Sequence, residues 1–499
     1  MDNIKRKMAA GVGWMTLFKL AIRGLGLIST VILARLLVPA DFGLVAMATS
    51  VVAAFELLMA FNFEVVLIQN QSAKRSHYDT AWTFNVLFGL SIAIIVASIS
   101  GIAAEFFSEP RLQAVLLVLA VAFAIESFNS IGVVNLAKEL KFKAEFRLKV
   151  IQHIARFSMT IPLAFWLQSY WALVFGILFG KTTMLAMTYI AAPHRPTLTL
   201  SASRELFRFS SWLLVNNLLQ FLRNRSTEIL LGRLASVQAL GLFSVSFEIS
   251  NLPTTELVAP INRAVLPGYA KMASKLSDLR TSYLEVISLI TIFSLPAGAG
   301  IAATAHLIVP IALGEKWLSA IPVIQILAIY GGLNSMLTNS GAVFNALAKP
   351  YFMTIIQVAT VALLLPTSYF LASESGALGL AWAYLYTLPA VILLSFWFSL
   401  KILELRAMVL LSVLWRSILS TFLMYMTVTN AFEHDTTTTP SVIEAAIDLA
   451  KAVTLGISAY MLSIITLWQI SGKPEGAEKI VWSKSKEWLS HKLKLSESP

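Results

Sequence analysis

Ala34-Arg35-Leu36-Leu37-Val38-Pro39-Ala40-Asp41-Phe42-Gly43-Leu44-Val45-Ala46-Met47 joins two apolar stretches through a short turn, and a related hairpin recurs farther along the chain. Gly232-Arg233-Leu234 followed by Leu240-Gly241-Leu242 repeats Ala34-Arg35-Leu36 and Phe42-Gly43-Leu44 at a shift of about 198 residues. At that shift Trp14 meets Trp212; at a slightly larger one Asn129-Ser130 meets Asn334-Ser335 and Ile151-Gln152 meets Ile356-Gln357. Each copy holds about six stretches long enough to span a bilayer. An even number of spans gives both copies one orientation, so the halves are expected to be related by a pseudo-two-fold axis along the membrane normal.

The whole chain reads the same way. Of 499 residues, 57% are hydrophobic and only 13% charged, with mean hydropathy +0.75, so lipid is the expected solvent. Stretches of about 20 apolar residues, enough for a core of about 30 Å, number about fourteen. They centre near Ile28, Ala54, Ile94, Ala120, Pro162, Leu178, Leu222, Ile249, Phe293, Ile329, Leu363, Leu388, Phe422 and Ile457. The expected fold class is an all-α polytopic membrane protein with about 14 transmembrane helices. Residues 1–200 and 201–402 are expected to form two pseudo-symmetric six-helix lobes, 403–470 two additional helices, and 471–499 a basic cytoplasmic tail.

Lys and Arg alternate sharply between loops. Lys74-Arg75, Lys138 to Lys149, Arg195 to Arg208, Arg263 to Arg280, Lys349, Lys401 with Arg406, and the tail after Lys473 are basic; the intervening loops are nearly free of such residues. That bias retains a loop in the cytoplasm, so both termini are expected there. The net charge of +11 therefore points to anionic lipid headgroups, not to nucleic acid. Lys473 to Lys494, with Trp482 and Trp488, reads as an amphipathic surface segment. The basic N-terminus leads into a stretch too long for a signal h-region and carrying Lys19 and Arg23, which reads as an uncleaved first span. No cysteine is present, which removes thiol nucleophiles and thiolate metal sites.

Ionisable side chains inside spans are costly unless they face protein or water, so each is a functional candidate. Thr16, Lys19, Arg23 and Thr30 share one helical face. Snorkelling suits Lys19 but not Arg23, because Arg35 marks the other end about 18 Å away. In the seventh span Asn216, Gln220, Arg223, Asn224 and Thr227 form a polar stripe with Asn217 beside it. Arg225 lies off that stripe, at i,i+3 pairing distance from Glu228. Ser244, Glu248, Asn251 and Thr255 share a face of the eighth span, where Glu248 either balances a cavity arginine or carries a proton. Arg156 in the fifth span, a weaker stripe of Asn334, Thr338 and Asn345, and Arg416 in the additional helices complete the set.

Enzymatic readings find little support. Gly176, Gly180, Lys181 and Thr182 fall one residue short of a phosphate-binding loop and follow no strand, so the glycines read as a close helix contact. His153 and His306 lack a second ligand at metal spacing, and the Glu433-His434-Asp435 run reads as a solvated loop. No nucleophile stands with a base, and no cofactor is implied.

The Ala34 to Met47 hairpin, continuing to Leu67-Ile68-Gln69, resembles the first hairpin of Wzx-type polysaccharide flippases of the multidrug/oligosaccharidyl-lipid/polysaccharide exporter superfamily, closest to the colanic-acid exporter branch. The resemblance implies two six-helix lobes around a central cavity in the bacterial inner membrane. It also implies alternating access that moves undecaprenyl-diphosphate-linked oligosaccharide from the cytoplasmic to the periplasmic leaflet. A diphosphate brings a concentrated anion into a low-dielectric path, for which Arg23 and Arg223 are the principal contacts and Lys19 and Arg156 further ones. Asn216, Asn217, Gln220, Asn224, Glu248 and Asn251 would line the cavity or balance its charge. Coupling to a proton or a sodium ion stays open, as does association with a polysaccharide polymerase or export machinery. Competing readings are a cation-coupled multidrug exporter of the same superfamily, a membrane glycosyltransferase or ligase acting on lipid-linked sugars, and a scaffold for a synthesis complex.

Overall fold

The computed structural model describes residues 22, 24–58, 63, 67, 73–139, 141–203, 221–222, 225–432, 442–474 and 476–479, which are helical with short connections and contain no strand. Helical residues occupy every span centre read from the sequence. Among the described residues, eight helices are long and apolar enough to cross a membrane by length and composition, and Gly24–Leu36 and Val237–Ser250 are shorter apolar helices. Large apolar side chains face outward, Trp166 at 82% and Leu393 at 70% exposure, while many interior contacts are made by small polar groups. That is the arrangement lipid favours. The chain divides into two compact units: Met1–Ser244 with Ala372–Ala377, and Val245–Leu371 with Leu378–Pro499.

The first unit opens with α1 (Gly24–Leu36) and α2 (Pro39–Leu58). Pro39 starts α2 where its missing N–H costs nothing. Asp41 then ties down the turn, accepting from Val38 N at 3.1 Å and, through its other oxygen, from Tyr170 N at 3.1 Å. α3 (Arg75–Phe106) packs on α4 (Arg111–Ser127), which passes through a 3₁₀ turn at Ile131–Val133 into α5 (Val134–Lys138). α6 (Phe142–Leu167) ends at left-handed Gln168, and α7 (Trp171–Ala191) returns along it. Gln168-Ser169-Tyr170 therefore form a tight helix-to-helix turn.

The region expected to repeat these elements begins with α8 (225–234) and α9 (Val237–Ser250). The repeated glycines meet at this hairpin: a Cβ on Gly43 would strike the carbonyl oxygen of Val237, and one on Gly241 would strike that of Pro39. Ser236 Oγ accepts from Ala239 N at 3.1 Å; these positions correspond to Val38 and Asp41 at the first turn, with the accepting side chain on the other member of the pair.

The second unit continues from α9 through a π-helix (Pro253–Val258) into α10 (Ala259–Met272). α11 (Leu276–Ala312) stays helical across Pro296 and Pro310 and packs on α12 (Ile321–Ser335), followed by α13 (Thr338–Ala346). This pairing copies that of α3 and α4. A Cβ on Gly89 would collide with Ser127, and about 205 residues later one on Gly332 would lie 3.2 Å from the carbonyl oxygen of Ser294. The small residue has changed sides, but the same positions make the close contact. Tyr269, Leu279, Tyr283 and Ile287 form the buried core beside it, with Tyr269 donating to Asn339 at 3.0 Å.

α14 (Tyr351–Leu403) is a continuous helical run only by hydrogen bonding. Gly376, at φ +55°, breaks it into two helices, matching the α6–α7 turn of the first copy. Beyond the repeat, α15 (Ala407–Ala431) and α16 (Val442–Ile470) pack on α11, where Tyr460 donates to the carbonyl oxygen of Ile292 at 2.8 Å.

Candidate functional site

Charged side chains inside apolar helices define the polar part of the candidate site. In the first unit, Lys181 of α7 donates to Glu126 of α4 and lies 5.1 Å from the Phe123 ring centre. Both charges come from sequences that are otherwise continuously apolar. Glu56 of α2 lies within electrostatic range of Lys181, Glu126 and Arg225. On α8 the expected i,i+3 pair is present: Arg225 Nη1 donates to Glu228 Oε2 at 2.8 Å. The same carboxylate oxygen accepts from Ser50 Oγ of α2 at 2.5 Å, tying the first hairpin to its repeat. None of these groups can face hydrocarbon without a penalty of several kcal/mol (about 2.5 or more), so their helix faces are protein- or water-facing.

Arg156 of α6 is half-buried, its stem packed over Gly180 of α7. One turn away, Thr160 Oγ1 stands where a Gly176 Cβ would be. The Gly176–Gly180 pair is thus a close helix contact, and Lys181 is engaged by Glu126 instead of serving a phosphate loop. Of the other expected anion contacts, Lys19, Arg23 and Arg223 lie outside the described residues, as do Asn216, Asn217, Gln220 and Asn224.

In the second unit Glu248, in the last turn of α9, and Asn251, just beyond it, are both half-buried. Asn251 Nδ2 donates to the Phe247 carbonyl at 2.9 Å, so its amide is partly taken up by its own helix. Immediately after it the chain widens into the π-helix, and Thr254 Oγ1 reaches the Gly331 carbonyl at 2.9 Å. A π segment inside a membrane helix frees backbone groups and often marks a functional position.

The apolar part of the site was not expected in this detail. A groove of about 790 Å³ runs between α11, α15 and α16, lined by residues such as Phe293, Ile308, Val428, Ile457 and Ile464. Along α16 it extends from Leu449 to Trp468, about 28 Å at 1.5 Å per residue, close to the thickness of a bilayer core. At the Trp468 end its wall includes Glu478. This carboxylate belongs to the segment following α16, and its Oε1 accepts from Arg416 Nε at 2.7 Å. Residues Gly476 to Glu478 are buried, so the tail begins inside the bundle and not on the surface.

Glu56, Glu126, Glu228 and Glu478 were missed as partners by sequence reasoning, or named only for the local pair. The signal that could have found Glu56 and Glu126 was available, since each interrupts an apolar run. Glu478 carried no such signal, because it lies in a charged tail.

Residues 32–322 match the family of polysaccharide biosynthesis proteins. The chain belongs to that family. It is 24% identical over 403 residues to the lipopolysaccharide biosynthesis protein WzxC of Escherichia coli, covering 80% of this chain and 82% of that one. It is 23% identical over 471 residues to the teichuronic acid biosynthesis protein TuaB of Bacillus subtilis, covering 93% and 96%. Among solved structures, the lipid II flippase MurJ in an inward closed conformation superposes with a TM-score of 0.74 at 13% identity, covering 91% of this chain and 98% of MurJ. The likeness to MurJ establishes the fold, that of a polytopic helical membrane protein.

Proposed function

We propose that this member of the polysaccharide biosynthesis family is a flippase. It moves undecaprenyl-diphosphate-linked oligosaccharide from the cytoplasmic to the periplasmic leaflet of the bacterial inner membrane by alternating access, for export of an exopolysaccharide, capsule or O-antigen. The observation that carries the reading is one chain's combination of ionised side chains inside apolar spans with an apolar groove about one bilayer core long. A carrier with an anionic head and a long isoprenoid tail needs both, and the groove beside α15 and α16 suits the tail. WzxC is named for lipopolysaccharide biosynthesis and TuaB for teichuronic acid biosynthesis, and MurJ, which shares the fold, is named as a lipid II flippase, which supports the reading.

In this reading the chain has about 14 spans, with lobes at 1–200 and 201–402, two further helices in 403–470, and both termini in the cytoplasm. Arg23 and Arg223 take the diphosphate, with Lys19 and Arg156 beside them. Asn216, Asn217, Gln220, Asn224, Glu248 and Asn251 line the path and balance its charge. A proton or sodium gradient supplies the direction, and a polymerase receives the product. Deleting the gene in its host tests the function. Lipid-linked oligosaccharide should accumulate in the cytoplasmic leaflet and surface polysaccharide disappear; unchanged surface polysaccharide with no accumulation contradicts the proposal.

A further inference from the structure

Arg416 is a buried basic residue, 3% exposed, on a helix that borders the apolar groove. Its pairing is incomplete. Nε donates to Glu478 Oε1 at 2.7 Å and Nη1 to the Ser412 carbonyl at 3.0 Å, whereas Glu478 Oε2 is buried with no hydrogen-bond partner. Two buried charges joined through one oxygen, with the other oxygen unsatisfied, are a poor structural bridge. A guanidinium presents a fork of five donors suited to phosphate. The carboxylate also depends on a special backbone position: a Cβ on Gly476 would lie 2.8 Å from Glu478 Oε2 and 3.8 Å from Arg416 Nη2. Ala477 N donates to Ser288 Oγ of α11 at 3.3 Å, and Trp468 Nε1 to the Pro474 carbonyl at 3.1 Å, which holds the segment in place.

We propose that Arg416 is a phosphate site for the isoprenoid carrier, and that Glu478 occupies it as a resident anion until the lipid phosphate displaces it. The inference rests on the flippase reading and adds a second anion site at the groove's end. It also makes the post-α16 segment a gate: when phosphate takes Arg416, Glu478 leaves and the groove end opens.

The test uses the full-length protein in nanodiscs, with undecaprenyl phosphate, undecaprenol and inorganic phosphate as separate probes. Glu478→Gln should bind undecaprenyl phosphate roughly tenfold tighter than the native protein, as expected for removing one competing charged hydrogen bond, and undecaprenol equally well. Gly476→Val, which crowds the carboxylate off Arg416 without changing charge, should shift binding in the same direction. The double variant Arg416→Gln with Glu478→Gln, a neutral hydrogen-bonding pair, should lose the roughly tenfold gain in phosphate binding shown by Glu478→Gln alone. Unchanged or weaker phosphate binding by both Glu478→Gln and Gly476→Val, or a gain that survives in the double variant, overturns the proposal. Inorganic phosphate binding as tightly as the lipid would assign the site to a free anion and overturn the lipid assignment. If the native protein flips glycolipid while these variants bind like it, only this inference fails; absence of flipping by the native protein removes the reading beneath it.

Discussion

Gly43 and Gly241 make a reciprocal contact, each occupying the space in which the other's helix presents a carbonyl oxygen, Val237 for Gly43 and Pro39 for Gly241. The two glycines are equivalent positions of the repeat read from the sequence, and so are the residues of the two carbonyl groups they face, Pro39 and Val237. One crossing therefore explains why the hairpin pattern is preserved in both copies: any side chain larger than hydrogen, at either position, separates the same pair of backbones.

Gly43→Ala and Gly241→Ala should each destabilise the protein in detergent by about 1–3 kcal/mol, as overpacking does where backbone cannot yield. Their double variant should cost less than the two single effects added together, because either substitution already opens the crossing. Thermal unfolding followed by loss of the monodisperse species reads this. Additive losses would mean that the glycines do not share a contact.

Lys181→Met strands Glu126 inside apolar surroundings and should lower both stability and inserted protein. The double variant Lys181→Met with Glu126→Leu should recover most of the loss, since an apolar pair removes both the attraction and the stranded charge. Failure of the double variant to recover folding would show that Lys181 also answers to another group, and Glu56, a carboxylate within electrostatic range of Lys181, would be the charge left stranded.

Outside the spans, in the turn before α4, both oxygens of Glu109 accept from Arg111, from Nε at 2.7 Å and Nη2 at 2.9 Å. That hydrogen bonding holds the Glu109 carboxyl below the usual carboxylate range. A depressed folded-state pKa means the contribution is present above the ordinary carboxylate range and lost as pH falls through the lowered value. Glu109→Gln should therefore cost up to about 1 kcal/mol at pH 7 and less as the medium is acidified, because the pair is partly solvated. A cost that is constant with pH would show that packing, not the carboxylate charge, is responsible.

The helical, many-span character of the chain was legible in the sequence because it rests on a feature that survives without tertiary information, the length of its apolar runs. Even the break at Gly376, hidden inside a 53-residue helical run, is anticipated by separate span centres at Leu363 and Leu388. The site was legible only in part. Arg225 and Glu228 are three residues apart on one helix, so their pairing follows from helix geometry. Lys181 with Glu126, Ser50 with Glu228, and Arg416 with Glu478 join distant parts of the chain, and nothing in one sequence says which helices will be neighbours. The apolar groove was illegible for a related reason: its lining residues are ordinary span residues, and only the gap between α11 and the last two helices distinguishes them.

Flipping is tested most directly in proteoliposomes carrying the purified protein and an undecaprenyl-diphosphate oligosaccharide, by following the glycan that becomes accessible to an impermeant modifying reagent. The account predicts protein-dependent exposure of a glycan that stays chemically unchanged, lost in Arg23→Ala and Arg223→Ala although both variants insert normally. Exposure equal to that of protein-free vesicles, or a glycan that is lengthened or transferred, would contradict it.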